Sequence, residues 1–352
     1  MDSLESAARA GLQYVSDRSP GFSRKRHRNG FRYCLPDGKP LRHPAHLERI
    51  RLLVIPPAWE SVWICCLENG HIQASGIDAR NRKQYRYHSA WRQCRDETKY
   101  NQMLDFARAL PKLRRRLKRD LALDGLPRDK ILAAVVSLLE STLIRVGNDE
   151  YARQNHSFGL TTLQNRHALV VGTQIRFQFR GKSGIEHDID LCDPVLAKIV
   201  RQCQHLPGQE LFEYLDEFGQ VHDVRSQDVN DYIREITGGD YTAKDFRTWA
   251  GTTLAARMLE QTPHFDSETA AKRNVAQAIR QVARRLGNTP AVCRKCYVHP
   301  AVISSYLDGS LKTRLAIRPA QSRSSALQLP PEEAAVWKLL NQILDRSKSS
   351  SG

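Results

Sequence analysis

The sequence predicts an α+β protein: a small β-rich N-terminal domain (residues 1–95) and a larger, mainly helical domain (residues 96–318) that carries a small β-hairpin sheet. Three observations point there. Before about residue 95, short β-prone pieces alternate with turn signals such as ENG and DARN. Beyond it, apolar residues recur at helical spacing. Between residues 169 and 191 that spacing gives way to a period of two. A chain of 352 residues suits two domains better than one core. Residues 319–352 read as a tail, loosely ordered apart from one helical stretch over 331–344.

In the N-terminal part, the run VIPPAWESVWICCLENGHIQASGIDARNRKQYRYH places strands over 62–67, 71–74 and 84–87. Tyr85 and Tyr87 alternate with Gln84, Arg86 and His88, which predicts a strand with one basic face. Arg80, Arg82, Lys83 and Arg86 interleave with those tyrosines, a pattern suited to phosphate contact and stacking. A solvated edge strand with two core tyrosines fits the same pattern equally well.

The helical part begins near Asp96. DKILAAVVSLLESTLIRV predicts a helix over 129–146, capped by Asp129 and ended by Gly147, with Arg145 in its last turn. Ile175, Phe177 and Phe179 then alternate with Arg176, Gln178 and Arg180, and GKSG turns the chain back into Ile185, His187 and Ile189. Lys182 therefore sits exposed at a hairpin tip. A helix over 267–286 follows, with Val275, Ile279, Val282 and Leu286 on one side and Lys272, Arg273, Arg280, Arg284 and Arg285 as a basic flank; Gly287 closes it. Thr289 and Pro290 read as the cap and first position of a short helix carrying Tyr297 and broken at Pro300.

Composition narrows the partners. The 54 Lys+Arg against 38 Asp+Glu leave a net charge of +16, which attracts polyanions. Nucleic acid comes first and an anionic membrane a weak second, since no window approaches the ~18 apolar residues of a spanning helix. The opening MDSLESAARAGLQYV lacks the pattern of a secretory signal, so a cytoplasmic, nucleoid location is expected. The eight cysteines are not spaced as a disulfide framework, and adjacent Cys65 and Cys66 are a poor second half for a zinc site with Cys293 and Cys296. Those last two are expected to pack as small hydrophobes.

No GxxxxGK[ST] loop, no HExxH and no acidic cluster for magnesium are evident, so no metal and no cofactor are expected. If such a chain cuts a phosphodiester, arginine and lysine must neutralise the transition state. A tyrosine phenol can serve as nucleophile, conserving the bond energy in a phosphotyrosine.

Five segments, in order, carry a family resemblance: IDARNRKQYRYH, LIRVGNDEY, FRGKSGIEH, TAKDFRTWAGT and LGNTPAVCRKCYVHP. Over about residues 10–310 the chain resembles a type IB DNA topoisomerase of the compact bacterial and poxvirus-like form. The resemblance implies a clamp around duplex DNA, formed by a monomer, with a catalytic domain like that of the tyrosine recombinases. It also implies relaxation of supercoils by transient single-strand cleavage, without ATP or metal. Tyr297 matches the nucleophile that becomes linked to a DNA 3′-phosphate. Arg145 and Arg247 match the arginines on the non-bridging oxygens, and Lys182 matches the hairpin lysine that protonates the leaving 5′-oxygen. Lys244 matches a lysine contacting DNA near the cut, while Arg82, Gln84, Tyr85, Tyr87 and Tyr151 fall where the family touches the duplex.

One position departs. Poxvirus and eukaryotic members have histidine where this chain has Asn288, nine residues before Tyr297. Asparagine can donate a hydrogen bond to a phosphate oxygen but carries no charge. Each residue also has a plainer reading: Arg145 as a helix C-terminal cation, Lys182 as a solvated turn residue, Arg247 paired with Asp245, Tyr297 as a half-buried aromatic. The competing functions are a tyrosine recombinase-like strand transferase, whose second arginine normally stands in an HxxR pattern, and a non-catalytic basic DNA-binding protein.

Overall fold

The computed structural model describes residues 3–28, 30–79, 81–263, 265–316 and 328–349. The chain divides into two compact units, Met1–Asn101 and Gln102–Gly352, mixing helix and sheet with a small β domain at the N-terminus.

In the first unit, helix α1 (Ser3–Arg9) precedes the hairpin β1 (Phe22–His27) and β2 (Gly30–Cys34). Helix α2 (Pro44–Leu52) leads to β3 (Glu60–Ile64), β4 (Ile72–Ile77) and β5 (Lys83–Tyr87). These strands form one antiparallel sheet in the order β2-β1-β3-β4-β5. Its inner face sets Phe22, Val62, Ile64 and Ala74 against Leu41 and Ile50. Strand β3 stops at Ile64, before the Cys-Cys-Leu that periodicity assigns to it.

The period-two reading of β5 holds, but its basic face does not. Tyr85 and Tyr87 are the exposed side, each 37% accessible and joined there by Lys83. Arg86 turns inward, where it donates to the Val54 carbonyl at 3.0 Å and lies over the Trp59 ring. An inward guanidinium must find acceptors, and an irregular loop with free carbonyls supplies one.

Helix α3 (Ser89–Leu121) carries the chain into the second unit, built around α4 (Arg128–Thr142). From Ile131 to Val136 every α4 side chain is fully buried, the mark of a helix packed on all sides. α4 ends four residues earlier than its apolar pattern indicates. Leu143 takes the left-handed conformation (φ 60°) as C-cap, so Arg145 lies in the loop beyond rather than in a last helical turn.

After α5 (Asp149–Asn155), strands β6 (Ala168–Val171), β7 (Gln174–Arg180) and β8 (Glu186–Cys192) form a sheet in that order. β7 buries every second residue, as expected, and pairs Phe179 with His187 next to the turn bearing Lys182. Helix α6 (Pro194–Cys203), a short ribbon of β9 (Glu213–Leu215) and β10 (Val221–Asp223), and α7 (Ser226–Thr237) come next.

The remaining helices are α8 (Ala243–Gln261), α9 (Glu268–Arg285), α10 (Pro290–Cys296), α11 (Pro300–Leu307), α12 (Leu311–Ala316) and α13 (Pro331–Ser349). Ser267 caps α9 and Thr289 caps α10 through their hydroxyls, as their positions indicate. Pro300 both ends one segment and opens another, standing first in α11 after the His299 cap. α13 is docked on the body: Arg114 donates twice to Glu333 (2.9 and 2.7 Å), and Trp337 donates to the Leu104 carbonyl. The QSRSSA stretch before it and the last three residues lie outside the described residues. Among the described residues no helix is long and apolar enough to cross a membrane.

Candidate active site

Arg145, Arg247, Asn288 and Tyr297 meet where the loop after α4, helix α8 and the stretch from the α9–α10 turn to the end of α10 converge. The α4 loop supplies Arg145, whose Nη2 donates to Asn288 Oδ1 at 2.5 Å and to the Gly287 carbonyl at 3.0 Å. Arg247, one turn into α8 and only 4% exposed, donates through Nη1 to the Leu143 carbonyl and through Nη2 to the Leu286 carbonyl at 2.5 Å. Its guanidinium carbon stands 5.3 Å from the centre of the Tyr297 ring, within cation–π range.

Tyr297 is half-buried and forms the C-cap of α10, its N–H donating to the Cys293 carbonyl at 2.9 Å. Its own carbonyl accepts from the Thr252 hydroxyl at 3.1 Å. Gly251 is part of the same fit, because a Cβ there would stand 2.8 Å from the Tyr297 carbonyl oxygen. The AGT of the α8 segment thus lets α8 and the tyrosine turn approach closely.

The two arginines are not balanced by acids. Among the described residues neither pairs with a carboxylate, and Asp245 spends its carboxylate capping α8 at Thr242. Burial, with the charge of Arg145 added, holds Arg247 below the usual arginine range, at about 10, while Tyr297 pulls the other way; the group stays charged at neutral pH. Burial likewise lowers Arg145, opposed by Tyr297. Backbone carbonyls aim both groups without neutralising them, an arrangement that suits an anion such as a phosphodiester.

Two further atoms fit that anion. Among the described residues Asn288 Nδ2 and Arg247 Nε are buried without a hydrogen-bond partner. With Oδ1 committed to Arg145, the amide of Asn288 is a spare donor beside the guanidinium pair.

The same region matches a known family. Residues 88–322 match the eukaryotic DNA topoisomerase I catalytic core, and residues 30–78 match the bacterial DNA topoisomerase IB N-terminal domain. The DNA topoisomerase 1B of Acanthamoeba polyphaga mimivirus is 32% identical over 295 residues, covering 81% of this chain and 87% of that one. The chain belongs to the type IB DNA topoisomerase family. The DNA topoisomerase 1B of Vaccinia virus (strain Copenhagen) is 21% identical over 304 residues, 84% of this chain and 85% of the viral enzyme. The DNA topoisomerase 1 of Rabbit fibroma virus is 23% identical over 241 residues, 65% and 70%.

The resemblance to a type IB topoisomerase singles out further residues in both units. Lys182 is exposed in the β7–β8 turn, with Ser183 after it in the left-handed region (φ 65°). Lys244 is exposed in the first turn of α8, one turn before Arg247. Tyr85 and Tyr87 stack on each other on the open face of β5, ring centres 5.8 Å apart. Arg82 is exposed but paired with Asp78 at 2.8 Å, and Gln84 Nε2 donates to the same carboxylate at 3.0 Å. Arg80 and the side chain of Tyr151 lie outside the described residues.

Cys293 is fully buried and Cys296 half-buried. Burial pushes the Cys293 thiol up to about 11, so it stays protonated. Among the described residues no cluster of His, Cys, Asp and Glu could hold a metal ion.

His187 is the site neighbour that sequence reasoning passes over. Period two assigns it only to a strand face, yet burial first and then the charges of Arg145 and Arg247 lower its pKa, which marks it as their neighbour. The available signal was its place across the hairpin from Phe179, at the base of the lysine turn.

Proposed function

We propose that this topoisomerase cuts one strand of duplex DNA by attack of the Tyr297 phenol oxygen on a phosphodiester. The P–O5′ bond breaks as the tyrosyl–phosphorus bond forms and the phenol proton passes to water, leaving a 3′-phosphotyrosine and a free 5′-hydroxyl. Lys182 supplies the proton that the departing 5′-oxygen needs. Arg145, Arg247 and Asn288 bear on the non-bridging oxygens, where charge builds in the transition state. The free strand swivels about its partner, and attack of the 5′-hydroxyl reverses the step. Because the intermediate retains the bond energy, no nucleotide is consumed.

The observation that carries this reading is the buried Arg247 guanidinium 5.3 Å from the Tyr297 ring, with Arg145 fastened to Asn288 and no carboxylate paired to either arginine among the described residues. Lys244 and the Lys83–Tyr85–Tyr87 face of the first unit supply further DNA contacts, and the protein works as a monomer closing on the duplex as a clamp.

The deciding experiment is relaxation of supercoiled plasmid in EDTA without ATP, paired with trapping of a covalent protein–DNA adduct by detergent. Both should succeed with the native chain and both should vanish with Tyr297→Phe, while DNA affinity stays nearly unchanged. Relaxation by the Tyr297→Phe protein would place the nucleophile elsewhere.

A further inference from the structure

His187 lies on β8, five residues after Lys182, and its ring stacks on Phe179 across the hairpin, with centres 4.8 Å apart and planes 13° from parallel. The ring edge rests against two glycine backbones. A Cβ on Gly181, the residue before Lys182, would fall 2.6 Å from both Cδ2 and Nε2 of the imidazole. A Cβ on Gly287 would fall 2.5 Å from Cε1. Real Cβ atoms do not approach so closely, so the ring occupies the gap between the lysine turn and the α9–α10 turn.

The second contact matters because of what Gly287 holds. It is the left-handed residue after α9 (φ 56°), its carbonyl accepts from Arg145, and Asn288 follows it. Tyr297 lies ten residues further on. One imidazole therefore touches the backbone beside the proton donor and the backbone beside the phosphate-binding groups.

We infer that His187 is a positioning residue: wedged between Gly181 and Gly287, it sets the Lys182 hairpin at its working distance from the turn that carries Asn288. This rests on the reading of Lys182 as the proton donor. At the tip itself Lys182 and Ser183 are exposed, whereas the His187 ring lies against both turns. Without the ring, the tip loses the stop that fixes its approach, and misplacement by about 1 Å costs on the order of 10²-fold in a reaction that depends on near-attack geometry.

The test uses single-turnover formation of the covalent adduct on two strands, one ordinary and one with sulfur as the bridging 5′-atom. A thiolate leaves without needing a proton, so a defect in proton donation disappears on the sulfur strand. His187→Ala should slow the ordinary strand by roughly 10- to 100-fold and cleave the sulfur strand nearly as fast as the native enzyme. Gly181→Ala should behave the same way: at φ −95° alanine is unstrained, so its only conflict is with the ring. The double variant removes that conflict and should be no slower than His187→Ala alone. Thermal unfolding of each variant separates a folding failure from a positioning one, and Gly181→Ala reports even if His187→Ala does not fold.

Equal slowing of His187→Ala on both strands, or additive losses in the double variant, would overturn the inference. Lys182→Ala is the control for the underlying reading. If it is not rescued by sulfur, the proton-donor role itself fails and takes this inference with it, an outcome distinct from failure at His187 alone.

Discussion

Arg145 Nη2 donates to Asn288 Oδ1 at 2.5 Å, which fixes the direction of the asparagine amide. Oxygen and nitrogen of an amide are told apart by their partners, and here the arginine can only donate. The carbonyl must face Arg145, so Nδ2 faces away from it. Asn288 is thereby a neutral donor whose direction is set by the Arg145 guanidinium.

The relationship predicts how Asn288 variants rank. Asn288→Ala should slow adduct formation by about 10- to 150-fold, the range for ~1.5–3 kcal/mol when one hydrogen bond to a charged group is lost. Asn288→Asp should be slower still, because a carboxylate would pair with Arg145 and repel the phosphate it serves. Asn288→His should retain most activity. Single-turnover cleavage rates decide the ranking, and an Asp variant faster than the Ala variant would mean that the amide does not face the phosphate.

Much of this site was legible because its caps and turns are local. Ser267, Thr289 and Pro290 announce the ends of α9 and α10, and the alternation in β7 delivers Lys182 to a hairpin tip. What was not legible depends on distant partners. The end of α4 is set at Leu143, whose carbonyl is taken by Arg247 more than a hundred residues later, and no local pattern shows that. Strand β1 was hidden because four consecutive cationic or imidazole side chains, Arg24 to His27, mask its alternation; Phe22 alone is buried in it. Arg86 sat in a clear basic pattern but spends its charge on a loop carbonyl. His187 needed three dimensions, since its significance lies in two glycines from different segments.

Stability should respond to pH through Glu210. Glu210 is half-buried, and burial first, then the neighbouring Asp223, Asp149 and Glu213, raise its carboxyl from 4.5 to about 7. A raised carboxyl pKa means that the folded state prefers the protonated form, so stability from this group is full below 4.5 and falls as pH rises towards 7. Glu210→Gln mimics the protonated form. It should leave the melting temperature unchanged near pH 4.5 and raise it at pH 8. His167 and His187 act oppositely: burial, with nearby arginine charge, lowers them from 6.5, so their contribution is present above that value and fades on acidification. An identical shift of Glu210→Gln at both pH values would show that its carboxyl titrates normally.

Arg247 gives the strictest separation of charge stabilisation from proton transfer. Its guanidinium is buried, aimed by the Leu143 and Leu286 carbonyls, and in contact with the tyrosine ring. Arg247→Ala should lose on the order of 10²–10³-fold in cleavage, as when one preorganised donor is removed from an oxyanion site. The loss should be equal on ordinary and 5′-sulfur strands, because the charge acts on the non-bridging oxygens whichever atom departs. Arg247→Lys keeps the charge yet should recover little, since one ammonium cannot satisfy two carbonyls in a fixed fork and still reach the phosphate. Both variants should also unfold at lower temperature, as each buried carbonyl left unpaired costs ~1–3 kcal/mol. Rescue of Arg247→Ala by the sulfur strand would assign Arg247 to leaving-group protonation and take it off the non-bridging oxygens.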